Sequence, residues 1–308
     1  MHKYILRRLL MMVPVLFGVM FVIFTLVYIT PGDAAQIILG ERATPEALAT
    51  LRAEMGLDRP FLPQFVGYVG RVLQLDLGQS FITRRPVFTE LTFRFPSTAQ
   101  LALMALSVAI IVGIPLGILC SIRHNSALDS IVSILGLVAL SVPNFWLGVM
   151  LVLLFSVTLG LLPVAGFGTP MHWILPTLTI GLSLSGEFMR FTRSSMLEVI
   201  RQDYIRTAWA KGQKESAIII KHALKNALIP LVTVIGLSFA ALMSGAVLTE
   251  TIFAIPGVGS FLVQSISSRD FPVIQGGVLM IAVIFSFVNL IVDILYGFID
   301  PRIRSQYK

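Results

Sequence analysis

Residues 203–230 read DYIRTAWAKGQKESAIIIKHALKNALIP, a basic stretch wedged between two hydrophobic spans. A pore that only conducts a solute has little need of a long charged connector there, whereas one driven by a soluble partner needs a lever. From Tyr204 onward, Ile205, Ala208, Trp209 and Gly212 recur at helical spacing, while Arg206 and Lys211 lie on other sides. Gly212 breaks this helix and, lacking a side chain, admits another backbone at close range. Beyond it, Ala217, Ile218, Ile220, Leu224 and Leu228 form a second apolar face leading to Pro230, an early-turn position of the next span. The pattern is helix, break, helix, span: a short rod that fits a groove in a soluble protein. The competing reading is a solvated or lipid-anchoring charge run, since Arg190 to Asn226 carries eight basic residues.

Composition places this rod in a membrane protein. Of 308 residues, 56% are hydrophobic and 13% charged, with a mean hydropathy of +0.87. Soluble domains carry about a quarter charged residues. The net charge of +7 does not make a nucleic-acid binder of so apolar a chain. One cysteine, Cys120, excludes an intrachain disulfide and reads as a small buried hydrophobe. Spans are expected at about Leu9–Thr30, Thr98–Ile122, Ile131–Leu162, Trp173–Phe191, Leu228–Leu248 and Gly277–Ile299. Trp173–Phe191 is the most polar of them, interrupted by Ser183, Ser185 and Glu187. Lys3, Arg7 and Arg8 precede a first span with no small-x-small cleavage pattern, so it reads as uncleaved. With the N-terminus inside, 15 of the 23 Lys and Arg residues fall on the inner side.

Outside the bilayer, Thr44-Pro45-Glu46 starts a helix that Gly56 closes, and Leu62–Val72 makes a second. This insertion reads as a cap over the mouth or, better, as a docking surface for a solute-delivering protein. The domain organisation is therefore 1–30 (inner N-terminus and first span), 31–97 (helical insertion) and 98–308 (a five-span core with the charged segment at about 200–227). No catalytic, cofactor or metal constellation is legible: the four histidines are not paired in spacing, and no phosphate-cradling loop is present. Pro256-Gly257-Val258-Gly259 reads as a turn. Glu187 is expected to pair with Arg190 or Arg193, Asp293 has no obvious local partner, and Glu250 suits a gate or an external loop contact.

Arg206-Thr207-Ala208, then Gly212 and later Pro230, resembles the EAA loop of binding-protein-dependent ABC transporter permeases, and more closely that of the peptide and nickel branch. Arg206 stands where the general pattern has an acid, and the gap to Pro230 is longer than in sugar permeases. Pro31-Gly32-Asp33, Leu57-Asp58 with Pro60, Asp76-Leu77-Gly78, Arg190-Phe191-Thr192-Arg193-Ser194-Ser195-Met196, Glu250-Thr251-Ile252-Phe253, Pro256-Gly257-Val258-Gly259 and Asp300-Pro301-Arg302 resemble, in order, the B-type permease of dipeptide or oligopeptide importers.

The resemblance implies an all-α membrane protein with the six-span fold of a type I importer permease and a helical extracytoplasmic insertion. It implies a multi-pass subunit of the bacterial or archaeal cytoplasmic membrane with both termini cytoplasmic. Its partners would be a homologous C-type permease, two ATPase subunits that bind ATP and Mg, and an extracytoplasmic solute-binding protein. Arg206, Thr207, Ala208, Lys211 and Gly212 would enter an ATPase cleft, with His222, Asn226 and Pro230 connecting them to the fifth span. Glu250 and Asp293 are gate or pathway candidates. The implied cargo is a short peptide, with nickel, glutathione or another small solute as alternatives within the family. An independent secondary transporter is a reading from another class, and no inverted repeat supports it.

Overall fold

The computed structural model describes residues 2–30, 32, 34–40 and 43–299. Pro31, Asp33 and the Asp300-Pro301-Arg302 motif lie outside the described residues. The order is α1 (His2–Ile29), α2 (Ala34–Leu39), α3 (Pro45–Glu54), α4 (Phe61–Leu73), α5 (Val87–Ile122), α6 (Ala127–Ser141), α7 (Asn144–Leu151), α8 (Met171–Ile200), α9 (Asp203–Ala210), α10 (Glu215–Ala217), α11 (Lys225–Met243), α12 (Val247–Ile252), α13 (Val258–Ser267) and α14 (Phe271–Ile299). Two π-helical stretches, Val152–Thr158 and Ile218–Leu224, continue α7 and join α10 to α11. Among the described residues the only extended pairing is an isolated bridge between Gln79 and Pro86.

The centre of the molecule is the crossing of α5 and α8, its most extensive helix contact. Small residues make it close. A Cβ added at Gly113 would lie 2.6 Å from the Ser185 carbonyl oxygen, and one at Gly117 would lie 2.6 Å from that of Met189. Gly181 meets Val108 in the same way, and α6 joins through Gly136 against Gly186. Between apolar helices in lipid, such close backbone packing supplies attraction that the hydrophobic effect does not. Around this pair, Leu101 and Ala105 of α5, Trp173, Leu175 and Ile180 of α8, and Phe253 and Ile255 beyond them form one buried cluster.

Among the described residues, four helices are long and apolar enough to cross a membrane: α1, α5, the rod from Glu215 to Met243, and α14. The expected third span is broken, with α6 and the α7 segment bent 100° apart at Val142-Pro143. Counted as one span, this pair makes five. Proline lacks the N–H needed to continue α6 and biases the residue before it to extended backbone, as Val142 shows at ψ 125°. α8 has the length, at 30 residues, but its Thr, Ser, Glu and Arg residues make it less apolar than that group. α5 begins eleven residues before the expected Thr98, because Pro96 lies inside it rather than ending the insertion. Its 36 residues rise about 54 Å, well beyond a hydrocarbon core of about 30 Å.

The fifth span also differs from the expectation. Pro230 is fifteen residues inside a continuous rod rather than at its start, and the rod ends at Met243, so Leu248 belongs to α12. Gly245, at φ +103°, makes that break. α3 and α4 form where Thr44 and the 62–72 pattern place them; the Thr44 hydroxyl accepts from the Ala47 N–H, and Gly56 takes φ +66°.

Gly117→Val should overpack the α5–α8 crossing against rigid backbone, costing about 1–3 kcal/mol, whereas Gly18→Ala, with open space around its Cβ, should not. Thermal unfolding in detergent would separate the two, and equal midpoints would refute the crossing as the central contact.

Candidate functional site

The 203–226 segment folds as a hairpin on the chain's own helices. Lys211 caps α9 and Gly212, at φ +71°, follows it. Gly212 N–H donates to Trp209 O at 2.9 Å and Gln213 N–H to Ala208 O at 3.4 Å, the paired bonds of a left-handed glycine stop. A Cβ on Gly212 meets nothing of this chain within 4 Å, so the glycine serves the turn and no close approach occurs inside the subunit.

The apolar face turns inward. Ile205 and Ala208 pack with Met196 of α8, with Ile218 and Ala223 of the π-helical stretch, and with Ala227 of α11; Ile118 of α5 borders the cluster. Trp209, placed on that face by spacing alone, is 48% exposed instead. Ile220 is likewise 65% exposed. For Ile220 the reason is the π-helix: its i→i+5 bonding widens the repeat, so burial falls at 218, 223 and 227, which a 3.6-residue period does not find.

Two polar bonds fix the hairpin. His222 Nε2 lies 2.8 Å from Gln213 Oε1, and Asn226 Nδ2 donates to the Tyr204 hydroxyl at 2.8 Å and to His222 O at 2.9 Å. The Thr207 hydroxyl bonds Asp203 O, and Arg206 stands 3.8 Å from Asp203 in an exposed pair. Arg206, Thr207, Trp209, Lys211 and Gly212 thus form an outward face, while Ala208 is structural packing. Pro230 is exposed and lies beyond the hairpin.

Next to this hairpin is a cluster that spacing did not reveal. Arg193, one turn before Met196 on α8, donates to both oxygens of buried Asp129 on α6, at 2.7 and 2.8 Å. Asn125 N–H and His124 Nδ1 also face Asp129 Oδ2, at 3.0 and 3.2 Å. Arg193 is therefore held by Asp129 rather than by Glu187, which is partly buried. The available signal was Ser126-x-x-Asp129, a helix-start pattern that the structure realises through Ser126 Oγ accepting from Asp129 N–H.

The gate candidates are both engaged. Asp293 meets Arg8 at 3.0 Å, so its partner comes from the other end of the sequence and ties α14 to α1. Glu250 lies beyond the α11 span, wholly buried inside the Pro256–Gly259 stretch. Its carboxylate accepts from the Thr98 hydroxyl at 2.7 Å and from Ser260 N–H at 2.8 Å, while Thr98 Oγ1 accepts from Val258 N–H. Gly257 and Gly259 are required there, because a Cβ on Gly257 would overlap the carboxylate and one on Gly259 would lie 3.0 Å from it. Burial pushes this carboxyl above the usual range, against the pull of its Ser260, Thr98 and Gly259 donors. The group anchors the 253–257 link and the start of α13 to α5. Among the described residues, no three His, Cys, Asp or Glu are grouped to hold a metal.

The fold and the segment together define a multi-helix membrane protein with an exposed basic hairpin. Two family models cover the chain: the binding-protein-dependent transport system inner membrane component over residues 113–305, and the N-terminal membrane component of such systems over residues 1–102. The chain belongs to this family of ABC importer permease subunits. It is 42% identical to the dipeptide transport system permease protein DppB of Escherichia coli K12 and 42% identical to the glutathione transport system permease protein GsiC of Pectobacterium atrosepticum, covering 99% of this chain and all of each relative. The fold is shared with the inward-facing MetNI methionine ABC transporter, at TM-score 0.56 and 19% identity, over 68% of this chain and 96% of that one.

Arg193→Ala would leave a buried carboxylate without its main donors and should cost about 2–3 kcal/mol, the lower end for a broken buried pair because Arg193 is partly exposed. Arg193→Lys should recover only part, since one ammonium cannot match the two-pronged fit. Unfolding midpoints in detergent check this; an unchanged midpoint for Arg193→Ala would exclude the clamp.

Proposed function

We propose that this chain is the permease subunit of an ATP-driven importer that moves short peptides across the cytoplasmic membrane. The carrying observation is its 42% identity to a dipeptide permease over 99% of the chain. Glutathione, the cargo in the name of an equally similar relative, is the second reading and is itself a small peptide. The proposed spans are α1, α5, the bent α6–α7 pair, α8, the Glu215–Met243 rod and α14, with both termini cytoplasmic and residues 31–97 largely outside. A second permease, two ATPase subunits carrying ATP and Mg, and an extracytoplasmic binding protein complete the assembly.

In this reading ATP closes the ATPase pair and pulls on the outward face of Arg206, Thr207, Trp209, Lys211 and Gly212. The hairpin moves as a unit because Gln213–His222 and Tyr204–Asn226 brace it. Its buried face carries the motion through Met196 and Ile118 to α8 and α5, so access alternates at the far end. Asp293 and Glu250 act as fasteners of helix and loop.

Gly212→Asn tests the contact: asparagine tolerates the left-handed turn, and its side chain enters space that this chain leaves open. Assembly and ATP hydrolysis should persist while dipeptide uptake into vesicles falls about tenfold, a coupling loss of about 1.4 kcal/mol. Normal uptake would remove the ATPase contact from Gly212. Deleting the ATPase subunits should abolish uptake of dipeptide and of glutathione; retained uptake would favour a secondary transporter.

A further inference from the structure

α4 does not stand above the bilayer. It crosses α1, the apolar span Ile5–Ile29, through ring contacts of Phe61 with Phe24 and Tyr28 and of Phe65 with Phe17 and Phe21, with centroids 5.1–5.6 Å apart except for a few looser pairs. Phe17 is twelve residues before Ile29, or about 18 Å along the helix axis. Leu279, eight residues into α14, joins the same cluster with Phe65 and Tyr68. These contacts set α4 within the half of the roughly 30 Å hydrocarbon core that lies nearest the carboxyl end of α1.

The sequence of α4 matches that depth. Phe61, Phe65, Tyr68 and Val72 make the stripe packed on α1 and α14. Val69 borders that stripe, and one step further around the helix Leu62, Val66 and Leu73, each more than 60% exposed, make a second apolar stripe. Gln64, Gly67, Gly70 and Arg71 occupy the remaining side. The exposed stripe carries no charge, and on the apolar span α1 that α4 packs against, Phe17, Phe21 and Leu26 are likewise exposed. A water-facing docking helix would present its polar side, not this one.

We propose that α4 is an interfacial helix of the outer leaflet, with the Leu62–Val66–Leu73 stripe covered by phospholipid acyl chains. It fixes the depth of the polar 74–86 loop, which is fastened beside the start of α14 by the Ser80 hydroxyl and the Phe81 N–H, both donating to the buried Asp270 carboxylate. Arg59 before the helix and Arg71 in its last turn reach the headgroups. The argument rests on α1 spanning the membrane and not on the cargo or on ATP coupling.

The test is nitroxide labelling of Val66→Cys and Leu73→Cys, with Thr83→Cys as the loop control, in the full chain purified with its co-assembled subunits. Cys120 is fully buried and stays in place. In vesicles of phosphatidylethanolamine and phosphatidylglycerol, both stripe labels should be accessible to oxygen and shielded from a water-soluble nickel chelate, the reverse of Thr83. Chelate access at Val66 and Leu73 would overturn the proposal in favour of an aqueous docking face. Shielding from both reagents would overturn it in favour of a protein partner. Loss of coupling in Gly212→Asn, or its absence, leaves this readout unchanged, so the two proposals fail separately.

Discussion

The close crossing of α5 and α8 is the contact on which the other elements depend. Gly113 and Gly117 on one helix and Gly181 and Ser185 on the other bring backbones together where lipid offers helices no other reason to associate. From this pair, α6 attaches through Gly136 against Gly186, and α7 through Gly148 against Thr179 and Phe253. The 203–226 hairpin reaches the same pair through Met196 and Ile118. On the proposed function, a displacement of α9 would act on two helices already locked to each other. Packed interiors have discrete arrangements rather than continuous ones, so such a push would select between arrangements rather than bend one.

Two buried carboxylates secure this frame, and they solve the same problem in the same way. Asp129 and Glu250 are each removed from water, and each is satisfied by a backbone N–H near a helix start plus a side chain from another element: Arg193 of α8 for the first, Thr98 of α5 for the second. An unpaired buried charge costs several kcal/mol, so each acid selects one arrangement of the elements that satisfy it. The Arg8–Asp293 pair adds a third fastening between the first and last helices. Ionisable residues inside a membrane chain invite a pathway reading, but here all three acids have fixed partners.

What was legible in the sequence follows the range of the interaction. The helical class, the start of α3 at Thr44-Pro45 and the helix stop at Gly212 are local and follow from local residues, whereas the Pro256–Gly259 stretch, expected as a turn, is a short irregular link whose last two residues already begin α13. The partners of Asp293 and Glu250 are not local: Arg8 lies 285 residues away and Thr98 lies 152. No spacing rule reaches them. The misplaced faces have another cause. Ile220 is assigned by a 3.6-residue period that the π-helical stretch shifts, whereas Trp209 lies one position past Ala208 at the edge of the α9 face and turns out of it. Pro96 and Pro230 were read as boundaries, yet both lie inside long helices. Membrane helices tolerate proline because neighbours re-satisfy the freed carbonyl.

The same frame explains why cargo is harder to read than class. Dipeptide and glutathione permeases match this chain equally well from end to end. Equal similarity is expected if most of the sequence is committed to crossing α5 with α8, seating two buried acids and bracing the inner hairpin, since none of these tasks touches a solute. On the proposed function, selectivity would be set on surfaces that only assembly completes, away from this frame. α4 lies outside the frame on one side: its aromatic stripe serves the helix packing, and its aliphatic stripe serves whatever lies beside it. Energy coupling would then rest on positions such as Gly212 and Asn226, whose geometry is fixed within this chain.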